Sequence, residues 1–409
     1  MNQAESPLMS DPFRRAARID NVELSEILQI SEAAAEMKKA GRDVISLGTG
    51  EPDFPTPVAV IDAAHKAALA GETIYTATVG TPALRKAISD DCARFNGYRP
   101  EMSEIIVCTG AKQVLFNAFF ATLDAGDEVL LAAPYWTSYP DIVTVCGGVP
   151  VAMPTTSATG FRITPEQLRA AITPRTRWLL LNSPSNPSGA VYSVTDMEGL
   201  AEVLRDNPHV ALISDEIYQH ICYVPFTSFR VAAPDLADRM LIVNGVSKSY
   251  AMTGWRLGWG IGPKRLIDSM IAVQSQITSG ASSVSQAAAV AALTGDQQLL
   301  AERCDDFRER RDMVAKALNE TGLIHCGSAD GAFYLFPDCT ATFGKTAPDG
   351  TRIEKDADFC AALLRCEGVA LVPGRAFGVP GYFRLSYAYS RNSLVEACTR
   401  IARFCKSLA

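Results

Sequence analysis

Asn244-Gly-Val-Ser-Lys-Ser-Tyr-Ala-Met-Thr-Gly-Trp-Arg-Leu-Gly258 is the stretch on which the reading of this chain turns. One apolar run, Met240–Asn244, leads into it, and another, Leu257–Ile261, leads out. Lys248 therefore follows a strand and sits among small and hydroxyl-bearing residues. A lysine that condenses with a carbonyl must reach a sheltered pocket and lose its proton readily. Arg256, eight positions further on, suits a phosphate through paired hydrogen bonds. A bare Ser-Lys pair would read as a surface turn. The whole segment, with its flanking strands, reads as a site.

Working outward, the same kind of apolar run recurs at Glu104–Cys108, Glu128–Ala132, Trp178–Leu181 and Val210–Ser214, with helical patterns between. Short, almost wholly apolar strands alternating with helices predict a mostly parallel sheet covered on both faces. Several runs end in polar residues or glycine: Thr109-Gly110, Asn182, Asp215 and Asn244-Gly245. Ligands in open α/β sheets bind beyond the C-terminal strand ends, so these endings are where chemistry is expected.

Each ending carries a motif. Ile213-Ser-Asp-Glu-Ile-Tyr218 sets Asp215 at a strand end, where an aspartate serves either as a helix cap or as a buried carboxylate partner. Asn182-Ser-Pro-Ser-Asn-Pro-Ser-Gly189 has two prolines and a glycine, which force a rigid turn able to aim Asn186. Thr109-Gly-Ala-Lys-Gln113 opens a helix read over 113–123, and free N–H groups there favour an anion. Trp136, in Pro134-Tyr-Trp-Thr-Ser-Tyr139, offers a flat ring for stacking or for the core. Arg384, in Tyr382-Phe-Arg-Leu-Ser-Tyr387, suits a carboxylate or a salt bridge.

Ser247-Lys248 with Gly254, Arg256 and Gly258 resembles the lysine motif of class I aminotransferases of pyridoxal-phosphate fold type I, and the likeness runs from about Asp43 to Ala409. The resemblance implies a seven-stranded sheet and pyridoxal 5′-phosphate joined to Lys248. It implies Ser247, Arg256, Gly110, Ala111 and Lys112 around the phosphate, and Asp215 at the ring nitrogen, where a carboxylate keeps the nitrogen protonated and the ring a better electron sink. Tyr218 and Asn186 are implied at the phenolic oxygen, and Trp136 against the ring. Arg384, Asn186 and the Gly50 backbone in Thr49-Gly-Glu-Pro-Asp53 are implied at the substrate carboxylate. Tyr75, in Ile74-Tyr-Thr-Ala-Thr-Val-Gly80, resembles a tyrosine reaching the neighbouring subunit's phosphate, which implies a homodimer with shared sites.

The expected reaction is ping-pong transfer from L-aspartate to 2-oxoglutarate. Gly50-Glu-Pro-Asp-Phe54 and the Trp136 motif resemble those of bacterial aspartate aminotransferases. Two departures bear on the second substrate carboxylate: no lysine or arginine occurs between Arg265 and Arg303, and Glu23 stands where one branch of the family has a basic residue. Ser25 is an alternative partner. An aromatic or prephenate aminotransferase, with Ile19 and Val22 accepting a ring, is the competing expectation. A lyase or decarboxylase on the same fold shares Lys248, Asp215 and Arg256. Gly48-Thr-Gly-Glu-Pro52 starts like a dinucleotide fingerprint but has Pro52 and Phe54 where the last glycine and helix start belong, which argues against a nicotinamide enzyme.

The rest of the chain bounds these readings. Its 409 residues exceed one ordinary domain. The expected division is an arm over 1–12, a first part of a small α+β domain over 13–45, a large cofactor-binding domain over 46–294 and the remainder of the small domain over 295–409. Helical spacing marks Leu24–Ala40, stopped by Gly41, and Ala301–Leu318. A net charge of −7 does not suit nucleic acid or anionic membranes, and no room exists before Asp43 for a DNA-reading module that a non-catalytic, cofactor-binding regulator would need. Eleven cysteines without a CxxC pair, four histidines and no signal or membrane segment predict a metal-free protein of the cytoplasm.

Overall fold

The computed structural model describes residue 13, residues 15–20, residue 22 and residues 26–409. The arm read over 1–12, and Glu23, Leu24 and Ser25, lie outside the described residues. A seven-stranded sheet organises the middle of the chain. Its strands are β1 (Ile105–Cys108), β2 (Glu128–Ala133), β3 (Val149–Pro154), β4 (Thr176–Asn182), β5 (Ala211–Asp215), β6 (Met240–Gly245) and β7 (Gly258–Ile261). Their order across the sheet is β1-β7-β6-β5-β4-β2-β3. All pairings are parallel except those of β7, which runs antiparallel to both neighbours.

The apolar runs become strands covered on both faces, including β1 at one end of the sheet. Ile105 and Val107 pack with Ile88, Leu200 and Ala288 on one face. Ile106 and Cys108 pack with Val114, Phe119 and Ile267 on the other. The two-residue period of a strand thus feeds two cores. β3 escapes the run-by-run sequence reading because, unlike β1 at the opposite edge, its residues are partly exposed, and it carries Pro150 and Pro154, which edge strands tolerate.

A third core surrounds Phe307, Phe333, Phe359, Phe383 and Phe404. Its strands are short. Ile45–Ser46 pairs in parallel with Val369–Ala370, while Phe383–Ser386 lies between Val372–Pro373 and Tyr334–Leu335. The α-helix α1 (Glu26–Lys39) lies within the stretch read as helical over 24–40 and packs beside these strands through Ala34. The helix expected from Gln113, α2, starts at Ala111 and runs to Thr122. The helix expected from Ala301, α3, starts at Gln298 and runs to Asn319. Its Leu300 sits in the sheet core, and its Phe307, Val314 and Leu318 sit in the third core, so one helix links the two cores.

Candidate active site

The polar strand endings converge. A cavity of about 520 Å³ opens there. Gly50, Ala111, Lys112, Trp136, Asn186, Asp215, Tyr218, Ser247, Lys248, Arg256 and Arg384 all line it. Gly110 lies immediately beside, at the cap of α2. Tyr75 stands away from the cavity. It is 92% exposed, next to the 78% exposed Ile74, on a groove shared with residues 278–283.

Lys248 follows β6 and its Nζ donates to the Gly50 carbonyl at 2.7 Å. Burial pushes its pKa down to about 8; Arg384 and Arg256 add to this, while Glu51 and Asp215 oppose it. A part-buried lysine whose proton affinity is lowered in this way is readied to act as a nucleophile. Asp215 ends β5. Burial pushes its carboxyl up to about 6 against the Tyr139 hydroxyl, which donates to it at 2.8 Å, and the Ile217 N–H at 3.2 Å.

The neighbouring strand end holds the turn that aims Asn186. Asn182 donates from Nδ2 to the Asp215 carbonyl at 2.9 Å and accepts from the Asn186 N–H at 2.7 Å. Asn186 Oδ1 in turn accepts from Arg384 at 2.9 Å. Arg384 is 1% exposed, lies over the Tyr334 ring at 4.6 Å, and also donates to the Gly48 carbonyl. Its Nε has no partner among the described residues. A buried guanidinium with an unused N–H beside a cavity is suited to a carboxylate.

At the other end, Gly110 caps α2 at φ +87° with no side chain over the first turn, leaving N–H groups free for an anion. A Cβ at Gly110 would lie 2.7 Å from the Arg256 guanidinium, and one at Gly258 2.4 Å from the Ala111 nitrogen. Glycine is what lets this helix start, Arg256 and β7 meet. Lys112 Nζ stands 4.8 Å from the centre of the Trp136 ring, and burial lowers its proton affinity, with Arg256 adding to the effect.

The described structure adds lining residues to which the sequence reading assigned no role at the site: Ile27, Glu51, Tyr139 and Tyr334. Tyr139 had a detectable signal, one helical turn beyond Trp136 at the start of a helix. Tyr334 had none, since it stands in a two-residue strand. Among the described residues, no group of His, Cys, Asp and Glu could hold a metal ion, and no helix is long and apolar enough to cross a membrane.

Comparison with known proteins agrees with this geometry. The sequence pattern of the family described as aminotransferase class I and II matches residues 42–401. An aspartate aminotransferase of Rhizobium meliloti strain 1021 is 54% identical over 97% of both chains. An aspartate/prephenate aminotransferase of Cereibacter sphaeroides is 47% identical over 95% of this chain and 98% of its own. A crystal structure of the Rhizobium meliloti aspartate aminotransferase superposes with a TM-score of 0.95 at 53% identity, covering 97% of this chain and all of that one. The Thermus thermophilus aspartate aminotransferase with maleate gives 0.88 at 39% identity, covering 96% and 99%. With its family pattern, its fold and its cavity-lining lysine in agreement, this chain belongs to the class I and II aminotransferases, of fold type I.

Proposed function

We propose that this aminotransferase uses pyridoxal 5′-phosphate on Lys248 to move the amino group of L-aspartate to 2-oxoglutarate, giving oxaloacetate and glutamate. The observation that carries the reading is the single cavity in which Lys248, Asp215, Arg256 and Arg384 face the same space from different sides. The residues fit the cofactor: a glycine-capped helix start with Arg256 for a phosphate, a buried carboxylate for a ring nitrogen and an aromatic wall.

When bound, pyridoxal phosphate supplies an aldehyde that condenses with amines and a ring that draws electrons from the bond being broken. Ser247, Arg256, Lys112 and the backbone of Gly110 and Ala111 would hold its phosphate, with Tyr75 of a second copy reaching in. Asp215, braced by Tyr139, would hold the ring nitrogen in its protonated form. Asn186 and Tyr218 would hold the phenolic oxygen, and Trp136 would cover the ring face. Arg384, with Asn186 and the Gly50 backbone, binds the substrate α-carboxylate, which orients donor and acceptor alike. Lys248 Nζ, in its neutral form, would take the proton from the substrate α-carbon as general base and hold it as general acid. Donor and acceptor use the cavity in turn, which makes the cycle ping-pong.

Aspartate is supported by the names of the relatives and by Lys112, whose charge on the Trp136 side suits a second carboxylate as well as a phosphate. The Thermus relative was solved with maleate, itself a dicarboxylate. Glu23 and Ser25 lie outside the described residues. The relatives named aspartate/prephenate aminotransferase, together with Ile27 in the cavity wall, favour an aromatic or prephenate aminotransferase as the second reading. Ile19 and Val22, named for that role from the sequence, are not among the lining residues. A homodimer is supported by the exposed Ile74 and Tyr75, and a reducing cytoplasmic setting by eleven free thiols.

A panel of amino donors against 2-oxoglutarate, ranked by kcat/KM, tests the assignment. Aspartate should lead. If phenylalanine or tyrosine outranks it tenfold, about 1.4 kcal/mol of transition-state binding, the aspartate reading is wrong. Turnover of neutral aliphatic donors alone would reject both readings, and release of products without a new amino acid would point to a lyase.

A further inference from the structure

Tyr334 stands where three parts of the cavity meet. Its hydroxyl is 3.0 Å from the Tyr218 hydroxyl. Its ring carries the Arg384 guanidinium at 4.6 Å. A Cβ at position 50 would lie 2.3 Å from its oxygen, so the absence of a side chain at Gly50 makes room for it. The ring is 1% exposed, edge-on to Tyr218 at 5.9 Å and tilted on Phe333 at 4.7 Å. These contacts leave the hydroxyl one place to be.

Two facing hydroxyls share one hydrogen bond, in which one donates and the other accepts. The role proposed for Tyr218 needs its own O–H directed at the cofactor's phenolic oxygen. Tyr218 then presents a lone pair to Tyr334, and Tyr334 becomes the donor. A hydroxyl that accepts a hydrogen bond is polarised into a stronger donor. The Arg384 charge on the Tyr334 ring works in the same direction, favouring release of positive charge along the Tyr334 O–H.

We propose that Tyr334 is a positioning residue that, through Tyr218, strengthens the hydrogen bond to the cofactor's phenolic oxygen and thereby lowers the pH at which the Lys248–cofactor linkage loses its proton. This rests on the reading of Lys248 and Tyr218 given above. The sign follows from charge. The phenolic oxygen is more negative once the neighbouring proton has left, so a donor aimed at it favours the deprotonated linkage. Weakening that donor raises the midpoint.

The test is a pH titration of the visible absorbance of the holoenzyme in wild type, Tyr334→Phe, Tyr218→Phe and the double variant. Tyr334→Phe keeps the ring and removes the hydroxyl. Its midpoint should rise by about 0.3–1 pH unit, the shift expected for weakening one hydrogen bond. In the Tyr218→Phe background the same substitution should add nothing, because the path through Tyr218 is gone. An unmoved midpoint in Tyr334→Phe, even with a lowered melting temperature, overturns the proposal, as does an equal shift in both backgrounds. If the wild type shows no pH-dependent band that Lys248→Ala abolishes, the cofactor reading itself fails and the proposal goes with it.

Discussion

Asp215→Asn in the cofactor-free protein should raise stability at neutral pH, although it removes a residue of the site. Asp215 is buried, and its carboxyl sits at about 6 against a usual 3.8 because burial penalises the charged form more than Tyr139 and Ile217 relieve it. A carboxyl whose folded pKa is raised contributes stability that is fully present below about pH 3.8 and is lost as pH rises through about 6. At 1.36 kcal/mol per unit, the loss between about pH 4 and about pH 7.5 is about 2–3 kcal/mol. The amide does not titrate, so the variant should gain that amount on the wild type across the interval. Urea unfolding of both proteins at equal concentration reads the difference. Saturation with pyridoxal phosphate should reverse the ranking at neutral pH, because the wild-type carboxylate then has a protonated ring nitrogen as partner. A stability difference that is flat in pH would refute the account of Asp215 as a carboxylate held charged at a cost until the cofactor arrives.

Two further outcomes test the remaining groups. Arg384→Ala should lower kcat/KM for amino acids and 2-oxo acids alike, by about 2–5 kcal/mol for loss of a desolvated charge pair; a loss confined to one substrate side chain would show that Arg384 reads the side chain instead. Tyr75→Phe should weaken pyridoxal phosphate roughly tenfold or more, as loss of a hydrogen bond to a charged group does, and equilibrium dialysis measures it; an active monomer by light scattering would contradict the shared site.

What the sequence by itself determined was local. Almost wholly apolar runs became the strands covered on both faces because a residue buried there has no polar alternative, and the polar residue ending each run marked the ligand edge. Lys248, with its strand and following Arg256, was legible from neighbouring residues alone; the individual roles of Asn186, Trp136 and Arg384 were reached only through family resemblance. Sheet order, and with it every long-range contact of the site, was decided by tertiary structure. Arg384 meets Asn186 across 198 positions and Gly48 across 336. Tyr139 finds Asp215 across 76, and Tyr334 finds Tyr218 across 116. No periodicity encodes such distances, because a side chain's partner depends on which strands lie adjacent and in what register. The edge strand Val149–Pro154 was lost for the same reason, since its half-exposed, proline-bearing pattern acquires meaning only beside β2. The pKa values of Lys248 and Asp215 also belong to the assembled molecule: a lysine and an aspartate have ordinary proton affinities until packing removes their water.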